Sequence, residues 1–178
     1  MILFFNRILT KIQRLWRSAV FCDYTKNKKS KVKIVGKITL INPNIKIGKN
    51  VTIYPDVMLF GDGLIEIGDN VDIGNGTIIY ASKSGGVKIG NNTMIAAQSY
   101  IIDTDHGIKA DTLIREQSNT VEPVIIGDDC WIASGCKILK GSKIGDGAVI
   151  GASAVVKGEI PKNAIAVGIP AKVKKYRE

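Results

Sequence analysis

The sequence predicts an all-β solenoid, a parallel β-helix of about six triangular coils. Two regularities carry that reading. An aliphatic residue recurs every six positions along most of the chain, and every third of these opens the same short phrase: "IGKN" at 47, "IGDN" at 67, "IGNN" at 89, "IGDD" at 126 and "IGDG" at 144. A fixed short period is the signature of stacked repeats, each unable to bury its apolar side alone. Composition agrees: aromatic residues are 6% of the chain, and 19 glycines stand against 5 prolines, which favours many ordered turns over a disordered linker.

The aliphatic marks are Val35, Ile41, Ile47, Ile53 and Leu59, then Ile67, Ile73 and Ile79 after a two-residue slip. Ile89, Ile95 and Ile101 follow a four-residue slip. After nineteen extra residues come Ile126, Ile132, Ile138, Ile144, Ile150 and Val156, and the series is expected to end at Val167, with Val167-Gly168 in the column of the repeated phrase. Four residues after each mark the side chain is usually small, as at Val57, Thr77, Ser99, Cys130, Cys136 and Ala148. One large and one small inward residue per hexapeptide describe a short strand and a tight corner, and Gly with Asn/Asp supplies the turn. Three hexapeptides make one coil, and the slips are loops leaving the prism at corners.

The organisation follows: a basic amphipathic helical arm over residues 1–30, the β-helix over 31–169 with a protruding loop at 103–124, and a basic tail over 170–178. Residues 1–33 hold nine Lys/Arg against Asp23, whereas the body is close to neutral. Nucleic acid is therefore not an expected partner, since it would need a basic face on the folded body. In residues 1–22, Arg7, Lys11, Arg14 and Arg17 recur at helical spacing opposite Phe5, Ile8, Leu9, Ile12, Leu15, Trp16, Ala19 and Val20. The charges forbid a spanning helix, and the segment lacks the pattern of a signal peptide. Two readings stand: peripheral contact with an anionic membrane surface, or packing on a neighbouring subunit. Cys130 and Cys136 fill small inward slots, and with Cys22 they form no disulfide or metal-ligand pattern. The expected compartment is the cytoplasm, at the inner face of the membrane if the helix docks there.

The longest slip contains "IIDTDHGIKADT" at 101–112, with His106, the one histidine of the chain. A loop of that length in so regular a solenoid is uncommon without a function. A hydroxyl becomes a competent nucleophile as its proton is removed, and a neutral imidazole does this at physiological pH. The same count argues against a zinc carbonic anhydrase on a similar prism, whose site needs three histidines. A plain scaffold would have no such interruption.

In its repeat, its loop histidine and its ending "AVGIPAKVKKYRE", the chain resembles the hexapeptide-repeat acyltransferases over residues 35 to about 175. It is most similar to the acetyl-CoA-dependent sugar and polysaccharide O-acetyltransferases. The resemblance implies a left-handed coil, against the usual right-handed rule for parallel crossovers, and a homotrimer with active sites between neighbouring prisms. It implies His106 as general base, with Asp103 or Asp105 orienting the imidazole; local spacing does not choose between them, and one of them can instead hold the acceptor's hydroxyls. The stretch "DDCWIASGCKI" implies Trp131 as a cleft wall and the Ser134 N–H as donor to the thioester oxygen, both facing His106 from the next coil. "IGASAVVKG" implies Ala152 and Lys157 along the pantetheine arm. The closing motif implies Lys172 and Lys175 at the phosphates and adenine of coenzyme A. Asn75 falls beside the family's acceptor-contacting asparagine. The expected activity is acetyl transfer from acetyl-CoA, with no metal, to a hydroxyl of a saccharide acceptor, such as a bacterial surface-polysaccharide unit or its precursor. The alternatives are O-acetylation of an antibiotic or free sugar and N-acetylation of an amino sugar.

Overall fold

A computed structural model describes residues 2–27 and 30–178, without the side chains of residues 2–5 and 7. The expected places of Phe5 and Arg7 on the helix faces lie outside the described side chains. The chain begins with one helix, α1 (Ile2–Tyr24), and continues as a β-solenoid. Short strands stack in parallel into three sheets, the faces of a triangular prism. The first face holds seven parallel strands, from Val32–Ile34 to Ala164–Val167; the second runs from Thr39–Leu40 to Val155–Val156, and the third from Ile45–Ile47 to Glu159–Ile160, with six strands each. There are thus six complete coils and one side of a seventh, slightly more than expected.

Inside the prism each face contributes a ladder of aliphatic side chains. The first face stacks Ile34, Ile53, Ile73, Ile95, Ile132, Ile150 and Ala166 in register. The second stacks Leu40, Leu59, Ile79, Ile101, Ile138 and Val156, and the third Ile47, Ile67, Ile89, Ile126, Ile144 and Ile160. Most are fully buried, and each such side chain contributes roughly 1.5–3 kcal/mol. The small slots, Cys130 and Cys136 among them, are buried beside the ladders. Corners are turned by residues with positive φ: Asn50, Asn70, Asn92, Asp129, Gly147 and Asn163 form one column at 53° to 70°. Asn and Gly tolerate this left-handed conformation better than other residues.

The six-residue period misplaces both ends. Ile34 and Leu40 point inward rather than Val35 and Ile41, and Ile41 is 62% exposed. The cause is an extra residue at the first coil's corner, where Asn42 is buried instead: its Nδ2 donates to Gly63 O at 2.8 Å and its Oδ1 accepts from Asn44 N at 2.7 Å. At the other end the corner after Val156 is shortened, so Ile160 takes the place in the third face expected for Val167. Val167 sits on the first face, after the inward Ala166. The basic tail is not free. Lys172–Tyr176 forms a strand antiparallel to Ala164–Val167, closing the first face. Arg177 then reaches back to bond Gly147 O at 2.9 Å and Asp129 Oδ2 at 3.0 Å.

All the insertions fall on one edge. Between the inward residues of the second and third faces the chain takes seven residues from Leu40 to Ile47, eight from Leu59 to Ile67, ten from Ile79 to Ile89 and twenty-five from Ile101 to Ile126. The corner then tightens to six from Ile138 to Ile144 and four from Val156 to Ile160. A widening ridge of loops therefore climbs this edge and ends in the long loop of the fourth coil.

Candidate active site

The long loop is a hairpin. Thr104–Asp105 pairs antiparallel with Thr120–Val121, and a short 3-10 turn, Ile114–Glu116, lies near its tip. Gln117 braces the tip from within. Its Nε2 donates to Lys109 O at 2.9 Å and Thr112 O at 2.7 Å, and its Oε1 accepts from Lys109 N at 2.8 Å. Gly107 makes the brace possible, because a Cβ there would lie 2.6 Å from Gln117 Cβ.

His106 is exposed at the end of the first hairpin strand. It lines a cleft of about 940 Å³ with Asp105, Gly107, Lys109, Gln117, Lys140 and Lys157, among others. Lys140 and Lys157 come from the next two coils at the same edge, directly after the second-face strands. The Lys140 side chain is 14% exposed; its Nζ lies 3.0 Å from Glu122 Oε1 and 3.9 Å from Asp105 Oδ2. An exposed imidazole beside a carboxylate and two ammonium groups can accept a proton from an acceptor hydroxyl and hold a polar, anionic or hydroxylated molecule in place.

The two carboxylates proposed to orient His106 have different surroundings. Asp103 is fully buried. Its oxygens accept from Ser82 N at 3.0 and 2.9 Å and from Gly86 N at 2.7 Å. That ties the hairpin base to the four-residue insertion of the coil below. Asp105 is exposed and lines the cleft with His106.

The remaining predicted residues gather elsewhere on the chain. Trp131 stands on the outer side of the first face, in one row with Met94, Val149, Ile165 and Lys175. Trp131 and Met94 are 50% and 52% exposed. This row is an apolar track that ends at a cation, and Lys172 lies on the same closing strand. Ser134 and Ala152 follow at the corner between the first and second faces, one coil apart, where Ser153 N donates to Ser134 O at 2.9 Å. Asn75 is at that corner too, with its Nδ2 donating to Pro55 O at 2.7 Å and Asp56 Oδ2 at 3.2 Å. Within one chain, then, Trp131 and Ser134 do not face His106 as expected. The loop leaves the edge opposite Trp131's face. Lys157, expected along the pantetheine arm, lines the His106 cleft.

Sequence reasoning passed over Lys140 and Gln117. Lys140 was findable, since it occupies the corner position one coil above the loop. Gln117 had no periodic neighbour to mark it. Among the described residues no group of three or more His, Cys, Asp or Glu could hold a metal ion.

The model for bacterial transferase hexapeptide (six repeats) matches residues 123–158, and that for the hexapeptide repeat of succinyl-transferase matches residues 65–81. A probable acetyltransferase of Mycobacterium tuberculosis is 41% identical over 118 residues, 66% of this chain; the chain spans 39% of that protein's length. The putative lipopolysaccharide biosynthesis O-acetyl transferase WbbJ of Escherichia coli K12 is 37% identical over 144 residues, covering 75% of this chain and 72% of that protein. Among solved structures, a mutant of the N-acyltransferase AntD from Bacillus cereus, in complex with dTDP-4-amino-4,6-dideoxyglucose and coenzyme A, superposes with a TM-score of 0.74 at 25% identity. The match covers 83% of this chain and 82% of that one.

Proposed function

The chain belongs to the hexapeptide-repeat acyltransferases, and we propose that it carries acetyl from acetyl-CoA to a hydroxyl of a saccharide, a surface-polysaccharide unit or its precursor, with His106 as general base. The observation that carries this reading is the His106 cleft, built at the one edge where every insertion accumulates. The name of the WbbJ relative points to a lipopolysaccharide-related acceptor. In this scheme His106 takes the acceptor's hydroxyl proton as the oxygen attacks, and Asp105 orients the imidazole. Lys140 and Lys157 hold the acceptor's polar groups. Asp103 acts through the fold, fixing where the hairpin leaves the prism.

The track from Trp131 to Lys175 suits coenzyme A: an apolar row for the arm, then Lys172 and Lys175 for the phosphates. The Ser134 N–H would stabilise negative charge on the thioester oxygen, with Ala152 beside the arm. Coenzyme A supplies the activated acyl group when bound. Because this track and the His106 cleft lie on different sides of one chain, a complete site needs a second copy, and we place it between subunits of a homotrimer. Surface chemistry supports that assembly. The outer row of the third face is charged at Lys46, Glu66, Lys88, Lys143 and Glu159, with Ile125 the exception. The outer row of the second face is less charged, with Met58, Ile78, Tyr100 and Val155 beside Thr39 and Lys137, and that of the first face turns apolar at Met94, Trp131, Val149 and Ile165 above Lys33, Thr52 and Asp72. A rotational trimer uses two different patches on each subunit. The proposed setting is the cytoplasm.

A thiol-release assay with acetyl-CoA across free sugars, nucleotide sugars and oligosaccharides tests the reading. Acceptor-dependent thiol release that disappears in His106→Ala supports it; undiminished turnover in that variant overturns it. The likeness to AntD favours one second reading, acyl transfer to the amine of an amino sugar. A matched pair of amino and hydroxy sugars in the same assay separates the two.

A further inference from the structure

The helix α1 meets the prism by the side opposite its apolar face. Phe21 is buried under the first coil, and Ser18 Oγ accepts from Ile34 N at 3.1 Å. Arg14, between Ser18 and Phe21 on that side, and Arg17 at its margin are half-buried. At 100° per residue these positions lie away from a stripe formed by Ile8, Leu9, Ile12, Leu15, Trp16 and Val20. All six are exposed, Ile12 at 58% and Trp16 at 67%. A helix that packed only to complete its own subunit would turn this stripe inward. Here the stripe is presented outward, and beside it an apolar groove of about 250 Å³ runs between Trp16, Val20 and Phe21 and the first-coil residues Ile34, Ile38 and Leu40, with Arg17 and Lys37 on its lining.

From this arrangement we infer that α1 docks the protein on an anionic lipid bilayer, lying in the interface with the stripe of Leu9, Ile12, Trp16 and Val20 in the acyl boundary. The occupant is chosen by charge. Residues 1–33 carry nine Lys/Arg against one Asp. Packing the stripes of several copies together would bring these like-charged arms close, whereas an anionic headgroup layer neutralises them. No described helix is long and apolar enough to cross a membrane, so the contact is with the surface. Exposed Lys11 and half-buried Arg17 stand at the two margins between the stripe and the packed side, where an ammonium and a guanidinium group reach phosphates while their stems cover apolar surface. The inference does not depend on the reaction assigned to the His106 cleft.

The full chain is sedimented with vesicles of phosphatidylcholine alone and of equal parts phosphatidylcholine and phosphatidylglycerol. Binding is expected to the anionic vesicles only and to weaken with salt. Lys11→Gln and Arg17→Gln should each lower the partition coefficient about fivefold. Ile12→Glu with Trp16→Glu should abolish binding while solution mass, thermal unfolding and acetyl transfer to a soluble acceptor stay as in the parent. Absence of binding to anionic vesicles, or equal binding by the double variant, overturns the proposal. It is also overturned if the double variant falls from oligomer to monomer, which would show that a second copy covers the stripe.

Discussion

Asp103 Oδ2 accepts a hydrogen bond from the backbone N–H of Gly86 at 2.7 Å, across the edge where two successive coils bulge outward. The second oxygen bonds Ser82 N at 3.0 Å, and Asp103 O accepts from Glu122 N at 3.0 Å. A Cβ on neighbouring Gly85 would sit 2.3 Å from the same carboxylate, so that glycine is required for the close approach. One buried side chain therefore pins the 82–86 loop and the hairpin that carries His106. Asp103→Ala leaves the buried Gly86 N–H and the half-buried Ser82 N–H without their acceptor, the buried one alone costing about 1–3 kcal/mol. The expected outcome is a clear fall in melting temperature. An unchanged melting temperature with a shifted pH–rate profile would instead make Asp103 the partner of the imidazole.

His106 gives the opposite signature. It is exposed and outside the packed core, so His106→Ala should leave thermal stability and coenzyme A binding close to the parent. Turnover should fall by about 10²–10⁴, the usual contribution of a positioned general base. Calorimetry of coenzyme A binding alongside the rate separates loss of the base from loss of the fold.

Cys130 and Cys136 test the inward assignment of the small slots. Burial raises both thiols above the ordinary range, only partly offset by backbone hydrogen bonds. Near neutral pH they should react slowly with a thiol reagent until the chain is unfolded. The raised values favour the neutral thiol in the folded state. Stability from this source is full below the ordinary thiol range and is lost as pH rises through and beyond it. Replacing both by Ala, the residue at 148 and 154 in the same slots, should flatten the alkaline fall in stability measured by denaturant unfolding.

Arg177 closes the growing end of the solenoid. Its guanidinium binds Gly147 O and Asp129 Oδ2 and holds the last strand over the first face. The pair with Asp129 is largely exposed, so screening discounts it; the bond to the carbonyl contributes the larger part, about 1 kcal/mol. Arg177→Ala should speed amide exchange over residues 172–176 and leave the lower coils protected.

The prism itself was legible because a six-residue period is written many times over, and each inward Ile is reinforced by its neighbours above and below. The ends were misread where that reinforcement stops. Asn42 is a polar residue buried by two hydrogen bonds, which an aliphatic count passes over, and the short corner before Ile160 deletes residues instead of adding them. The candidate site was legible only in part. His106 and Asp105 meet in one cleft, as their sequence proximity suggests. The period puts Trp131, beside Ile132, on a different face from Ile101, but only the stacked coils show how far that face lies from the loop. Lys157 lines the His106 cleft because two further coils bring it to the same edge.

That separation yields a prediction about assembly. If each site takes His106 from one subunit and the Trp131–Lys175 track from its neighbour, chains lacking one or the other should complement. His106→Ala and Trp131→Ala chains, each nearly inactive alone, are unfolded together and refolded in equal amounts. Random assembly into closed rotational trimers places an intact His106 against an intact Trp131 at roughly one site in four. Recovered thiol release on the order of a quarter of the parent rate is the expected outcome. The trimer itself is checked by solution mass before and after mixing, so that failed assembly is distinguished from failed complementation. Correctly assembled mixed trimers with no recovered activity would mean that both residues act within one chain, and the shared site would have to be abandoned.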